Sequence, residues 1–175
     1  LILCASSAAG SSDFKSWIAL RDEGVVRQAH DFSCGLAALA TILTYDHLDP
    51  TDEAFLLTSL REQDQRQGLE RSFDDGVSFA DLRDLAQRQG YRAAGIAVPT
   101  TTLRQLSRPV IAALTVDGRA HFTVLKGFSE DGRAILADPS WGNMRMTPWA
   151  WERAFEAGES GSGRVLVVLA SDATD

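Results

Sequence analysis

Cysteine is scarce in this 175-residue chain, with Cys4 and Cys34 the whole complement. That excludes a multi-disulfide framework, and also a structural metal site, which needs paired Cys/His ligands at short spacing. One bridge, Cys4–Cys34, stays open for an exported protein. Basic residues are outnumbered as well: 17 Lys and Arg against 24 Asp and Glu leave a net charge of -7. Nucleic-acid binding needs clustered cations against phosphate, and the sequence has no such cluster, so no nucleic-acid partner is expected. Long apolar runs are missing too, so no membrane span is expected. There is no internal repeat, no low-complexity linker and no Walker-type glycine-rich loop. No cofactor is implied. What remains is ordinary: 45% apolar and 23% charged residues suit one domain around one buried core.

The first ten residues, LILCASSAAG, differ from the rest. A short apolar run followed by small residues at Ala8 and Ala9 reads as the tail of a signal peptide and predicts a periplasmic or exported bacterial location. Lipidation at Cys4 is not expected, because Leu3 stands where a small residue should precede the cysteine. Residues 1–24 are accordingly assigned to a signal-peptide remnant and a lead-in arm, with Trp17, Ile18 and Leu20 able to pack on the core. Residues 25–170 form the folded domain. If the remnant is removed, Cys34 is the one thiol left, and a free thiol in an exported protein calls for a reason.

The spacing of apolar residues predicts helices in the first half. One runs from Cys34 to about Thr44, apolar nearly all round and therefore central, with Ser33 as its N-cap. A second opens on Asp49 and Pro50 and continues to about Arg61. Residues 62–75 are polar and read as a mobile loop. A third helix starts at the Ser78/Asp81 capping box and ends at Gly90. Strands follow over 91–98, 109–116, 120–128, 133–138 and 164–169, interrupted by a helical turn near 101–106 and a last helix from Thr147 or Pro148. Helices first and antiparallel strands second give an α+β fold, with N-terminal helices packed on a C-terminal sheet.

Within that layout Cys34 sits where a loop enters a buried helix. Unpaired N–H groups and the helix dipole there favour a thiolate, the nucleophilic form of cysteine. A buried structural cysteine is the commoner fate, but such residues sit inside helices rather than at their entrances. Gly35 beside it lets substrate or backbone approach closely. A thiol nucleophile works best with a base that is itself oriented by a third group. Of the three histidines, His47 lies in a polar turn and reads as solvated. His30 shares one loop-to-helix segment with Cys34 and offers no rigid platform. His121 opens the strand HFTVLKGF, where side chains are held. The turn at Ser129–Gly132 puts Asp138 opposite Thr123 or Leu125. Either register sets Asp138 on the face of His121, because strand side chains alternate with period two. Taken alone, Asp138 could simply open a turn and His121 could be a satisfied sheet histidine.

The run QAHDFSCGLAALATIL (residues 28–43) resembles the signature of the C39 cysteine peptidases, the bacteriocin-leader-processing group with a papain-like fold. In that family a Gln lies six residues before the Cys, matching Gln28 and Cys34. A His opens a strand, matching His121, and an Asp precedes Pro, matching Asp138-Pro139. The resemblance implies that Gln28 completes an oxyanion hole, a role that needs a preorganised donor. It further implies a peptide or protein substrate cut after a small-residue, Gly-Gly-like pair in a leader or exported peptide, within a secretion system. Ser33 stands where many members have an acidic residue, and Ala37 and Ala38 stand where many have a second Cys. The run is more similar to stand-alone C39-like proteins than to domains fused to exporters. Two rival functions stay open. One is a non-catalytic periplasmic accessory that holds an exported peptide or amyloid-type subunit on a surface of Trp141, Trp149 and Trp151. The other is acyl transfer to an amine by the same three residues.

Overall fold

The computed structural model describes residues 14–73, 76–155 and 161–171. Its elements in chain order are α1 (Trp17–Asp22), α2 (Cys34–Tyr45), α3 (Glu53–Gln67), α4 (Phe79–Arg88), β1 (Tyr91–Val98), α5 (Thr100–Leu103), β2 (Val110–Val116), β3 (Arg119–Phe128), β4 (Ala134–Asp138), β5 (Gly142–Met146), α6 (Pro148–Phe155) and β6 (Gly163–Ala170). The strands form one antiparallel sheet in the order β1-β6-β2-β3-β4-β5. The α+β expectation of helices laid on a C-terminal sheet is met. Among the described residues no helix is long and apolar enough to cross a membrane.

Both sheet faces are covered, which explains why β2 reads as a continuous apolar run instead of alternating with polar residues. Ile111, Val124, Leu166 and Val168 pack with α2, α3 and α4 on one face. Val110, Ala112, Leu125, Leu136 and Val165 pack with Trp151 and Phe155 of α6 on the opposite face. Helix α2 is the hub, buried from Cys34 to Leu43. Burying Leu36, Leu39, Ile42 and Leu43 contributes roughly 1.5–3 kcal/mol each before entropy is charged against it. The core, not the loop before it, therefore fixes where Cys34 stands.

Several local expectations change. Ser33 is the N-cap of α2 as expected, but its side chain makes no capping bond: its Oγ donates to His30 O at 2.7 Å and accepts from His30 N at 3.1 Å, so it closes the preceding turn. Helix α3 starts later than the Asp49-Pro50 pair suggests, with Asp52 as N-cap accepting from Phe55 N. Thr51 N and O are instead tied to Thr44 Oγ1, which holds residues 49–51 out of the helix. The helix also runs on to Gln67, so only residues after Gly68 form the loop. Gly68 takes the left-handed turn (φ +67°) that ends it. The Ser78/Asp81 capping box of α4 is present as expected. His47 is not solvated: its side chain is 5% exposed, against Tyr91. Helix α1 and strand β5 were not foreseen, and they pack on each other.

Candidate active site

Cys34, His121 and Asp138 come from the first turn of α2, the start of β3 and the end of β4. Val124 pairs with Ala137, and one further step sets Asp138 across from Thr123, the tighter of the two expected registers. A bulge between Leu125 and Gly127 absorbs the extra residue in the hairpin. His121 and Asp138 are then diagonal neighbours on one face, and His121 Nε2 lies 2.8 Å from Asp138 Oδ2. The ring is also close enough to Cys34 for the two to interact electrostatically. Next along β3, Phe122 N donates to Cys34 Sγ at 3.5 Å. One strand thus presents both the ring and a backbone N–H to the thiol.

The electrostatics follow from burial and pairing. Asp138 is 1% exposed and His121 12% exposed by side chain. Burial disfavours the imidazolium, but the hydrogen bond and charge of Asp138, with the nearby Cys34, outweigh it, and the His121 pKa is pushed up to about 9. Burial likewise opposes the Asp138 carboxylate. The His121 hydrogen bond and charge, with a backbone N–H from Ser140, overcome that and hold Asp138 below the usual carboxylate range. Asp138 Oδ1 accepts from Ser140 N at 2.8 Å and Trp141 N at 3.1 Å, so the turn after β4 fixes the carboxylate and leaves Oδ2 for His121. The Trp141 ring, half exposed, sits over His121 with centroids 5.3 Å apart.

Gln28 lies in the loop before α2, and that loop is stitched to the same turn. Gln28 N donates to Pro139 O at 3.1 Å, and Arg27 Nε donates to the same oxygen at 2.9 Å. On the far side, Ala29 N donates to Glu53 Oε2 at 2.7 Å. The Gln28 amide is held at both ends. Its Oε1 accepts from Ser140 Oγ at 2.7 Å and its Nε2 donates to His30 O at 2.9 Å. The four residues singled out from the sequence thus occupy one region, joined through Ser140. Sequence reasoning missed Ser140 and the position of Trp141, whose only signal was that they directly follow Asp138-Pro139. It also misjudged Gly35: a Cβ there would meet the side chains of Val77 at 2.6 Å and Phe122 at 2.9 Å, so side-chain packing, not backbone or substrate, demands the glycine. His30 stacks on Phe32 and takes no part in the pairing at Cys34.

Two clefts meet at the site. One of about 590 Å³ is lined by Cys34, Phe32, Phe73, Gly76, Val77 and Arg119. A second of about 500 Å³ includes His121, Phe79, Leu114 and Phe155. Ala120 and Phe122 line both.

Residues 22–158 match the peptidase C39 family. The chain belongs to that family. It is 34% identical over 157 residues to an uncharacterized protein of Methanothermobacter marburgensis, covering 89% of this chain and 94% of that one. It is also 33% identical over 142 residues to the probable functional amyloid protease FapD of Pseudomonas fluorescens, covering 79% of this chain and 61% of FapD. The Pseudomonas aeruginosa FapD gives 31% over 121 residues, with 69% of this chain and 52% of the relative covered. The chain therefore spans between half and two thirds of the length of these FapD relatives. Among solved structures, the fold is similar to that of a double glycine motif protease from an AMS/PCAT transporter in complex with the leader peptide, at TM-score 0.65 and 24% identity over 83% of this chain and 90% of that one. The peptidase domain of Streptococcus ComA, a bi-functional ABC transporter, gives TM-score 0.63 and 18% identity over 83% of this chain and 97% of that domain. These C39 structures overturn the expected periplasmic or exported location. They are a protease from an AMS/PCAT transporter and peptidase domains of ComA. Apolar and small residues at a chain start are common, and residues 1–10 lie outside the described part of the structure.

Proposed function

We propose that this C39 chain is a cysteine peptidase that cuts a leader or exported peptide after a small-residue pair of the Gly-Gly type. The observation that carries the reading is the buried 2.8 Å pairing of His121 with Asp138 on the strand whose next backbone N–H reaches Cys34 Sγ. In this reading His121 takes the Cys34 proton, and Sγ attacks the scissile carbonyl carbon to form a tetrahedral intermediate. Gln28 Nε2 and the Cys34 N–H stabilise its oxyanion. His121 then gives the proton to the departing amine as the C–N bond breaks, leaving a thioester that water hydrolyses. Asp138 holds the ring in place and stabilises the imidazolium. Support for the substrate class comes from the likeness to a double glycine motif protease. The exporter or other machinery that presents the peptide belongs to the same proposal.

The test is incubation with a synthetic peptide carrying one Gly-Gly junction, with products read by mass spectrometry. Cleavage after the second glycine, and none when that pair is Leu-Leu, is the expected result. An acyl group carried onto an added amine instead of water would move the reading to acyl transfer. No turnover of any Gly-Gly peptide would remove its basis.

Two further outcomes follow from the geometry. Ser140→Ala frees one end of the Gln28 amide, so kcat is expected to fall about tenfold with KM nearly unchanged, the pattern for an interaction realised in the transition state. The pH profile follows from His121. Its folded pKa lies above its ordinary 6.5, so its contribution to stability is full below 6.5 and lost as pH rises through about 9. The basic limb of kcat/KM is expected near pH 9 for the same reason, and a limb near 6.5 would contradict it.

A further inference from the structure

The loop joining α3 to α4 supplies one wall of the Cys34 cleft, through Phe73, Gly76 and Val77. Its described residues lie in no helix or strand, so other contacts must hold them in place. Inside the cleft it leans on aromatic contacts: Phe73 stacks on Phe32 with centroids 4.8 Å apart, and the Arg61 guanidinium lies 5.8 Å from the Phe73 centroid. Behind the wall, Arg71 makes two forked ion pairs at once. Its Nε and Nη2 donate to Asp64 of α3 at 2.7 and 3.1 Å. Its Nη1 and Nη2 donate to Asp81 of α4 at 2.9 and 2.8 Å. Asp81 is already engaged in the capping box of α4, accepting from Ser78 N at 2.8 Å.

The burial of this cluster makes it strong for an ion-pair network. Asp64 is 6% exposed, Asp81 13% and Arg71 23% by side chain, so water and salt screen it far less than an ordinary surface pair. Two carboxylates from different helices converge on one planar cation. Only a guanidinium offers two parallel-donor edges in the same plane, and a lysine ammonium cannot grip both carboxylates in that way. Arg71 therefore ties the loop to both helices, two residues before Phe73.

We propose that Arg71 is a positioning residue for substrate: it holds the Phe73–Phe32 wall against the cleft, and so governs peptide binding rather than the chemistry at Cys34. The proposal rests on Cys34 being the nucleophile of a peptide-cleaving site. Arg71 touches neither Cys34 nor His121 in any hydrogen bond or ion pair described above, so its effect reaches the reaction through the wall. A loosened wall raises the ordering cost of seating an extended peptide, whereas a small reagent that needs only the thiol is indifferent to it.

The experiment compares two alkylating probes of Cys34 in the wild-type chain, in Arg71→Lys and in Arg71→Gln. One is iodoacetamide; the other is a chloromethyl ketone carrying a peptide that ends in Gly-Gly. In Arg71→Lys the peptidyl probe is expected to inactivate about tenfold more slowly, with the iodoacetamide rate within about twofold of wild type. With the cleavable peptide, KM should rise about tenfold and kcat stay within about twofold. Arg71→Gln should show the same split more strongly, and if it fails to fold the lysine variant alone decides the matter. Parallel slowing of both probes, or unchanged rates with both, overturns the proposal, since the first signals general damage and the second an idle ion pair. A wild-type chain that shows no preference for the peptidyl probe fails differently: it overturns the peptidase reading and this inference together.

Discussion

Replacing Cys34 with alanine is expected to lower cleavage of a Gly-Gly peptide by roughly 10⁴-fold or more, to background. The fold should be little disturbed. The substitution removes one sulfur atom, which accepts from the Phe122 N–H, and the leucines of α2 that fix the helix are untouched. An unchanged melting temperature with activity gone separates a chemical role from a structural one. Binding of the uncut peptide should survive, since the wall and the rest of the cleft remain. If the variant cleaves at more than a few per cent of the wild-type rate, Cys34 is not the nucleophile.

The second large effect is expected at Asp138. Asparagine keeps the shape, and its carbonyl can still accept the Ser140 and Trp141 N–H groups. It loses the negative charge that faces His121 Nε2. Activity should fall by about 10²–10⁴-fold, the range for impaired general acid–base catalysis. The basic limb of the pH profile should also move down from about 9 toward 6.5, because the charge that supports the imidazolium is gone. Asp138→Ala adds a stability cost: two backbone N–H groups and the buried ring lose their partner, for about 3–5 kcal/mol of destabilisation. An asparagine variant that loses activity with its pH limb still near 9 would assign the loss to packing instead of charge.

Much of the candidate site was legible in the sequence: its placement through periodicity, and its roles, that of Gln28 above all, through the C39 resemblance. Helix α2 is apolar on every side, which marks it as central and makes a cysteine at its entrance conspicuous. His121 and Asp138 share a face by the period of two, whichever register the hairpin takes. The register itself was not legible, because the bulge at Leu125/Gly127 leaves no sequence signal and decides the pairing by one residue. Strand β5 was missed for a related reason. Its five residues, Gly142 to Met146, have little strand propensity, and it exists because β4 offers it an edge to pair with. Gly142 could not be judged either: its left-handed backbone (φ +81°) packs against Arg21 O of α1, 121 residues earlier in the chain.

Long-range polar pairing was the least legible level. Residues 62–75 look like a solvated polar stretch because a charge run usually is one, yet Asp64 is buried and is held by Arg71 together with Asp81. Ser140 has the same character: nothing in the composition says that its N–H serves Asp138 while its hydroxyl serves Gln28. The three tryptophans proposed as one surface are in fact split. Trp151 is wholly buried and donates from Nε1 to Thr100 Oγ1, while Trp141 and Trp149 are exposed.

The most direct test of the account is the rate at which iodoacetamide alkylates Cys34 as pH is varied, in the wild-type chain and in His121→Ala. If His121 takes the Cys34 proton, the wild-type rate should be fast at mildly acidic pH and nearly flat up to about 9, where His121 loses its proton. In His121→Ala the rate should be far slower at acidic pH and climb about tenfold per pH unit, as it does for an unassisted thiol. A wild-type profile that climbs in the same way as the variant would contradict the central claim.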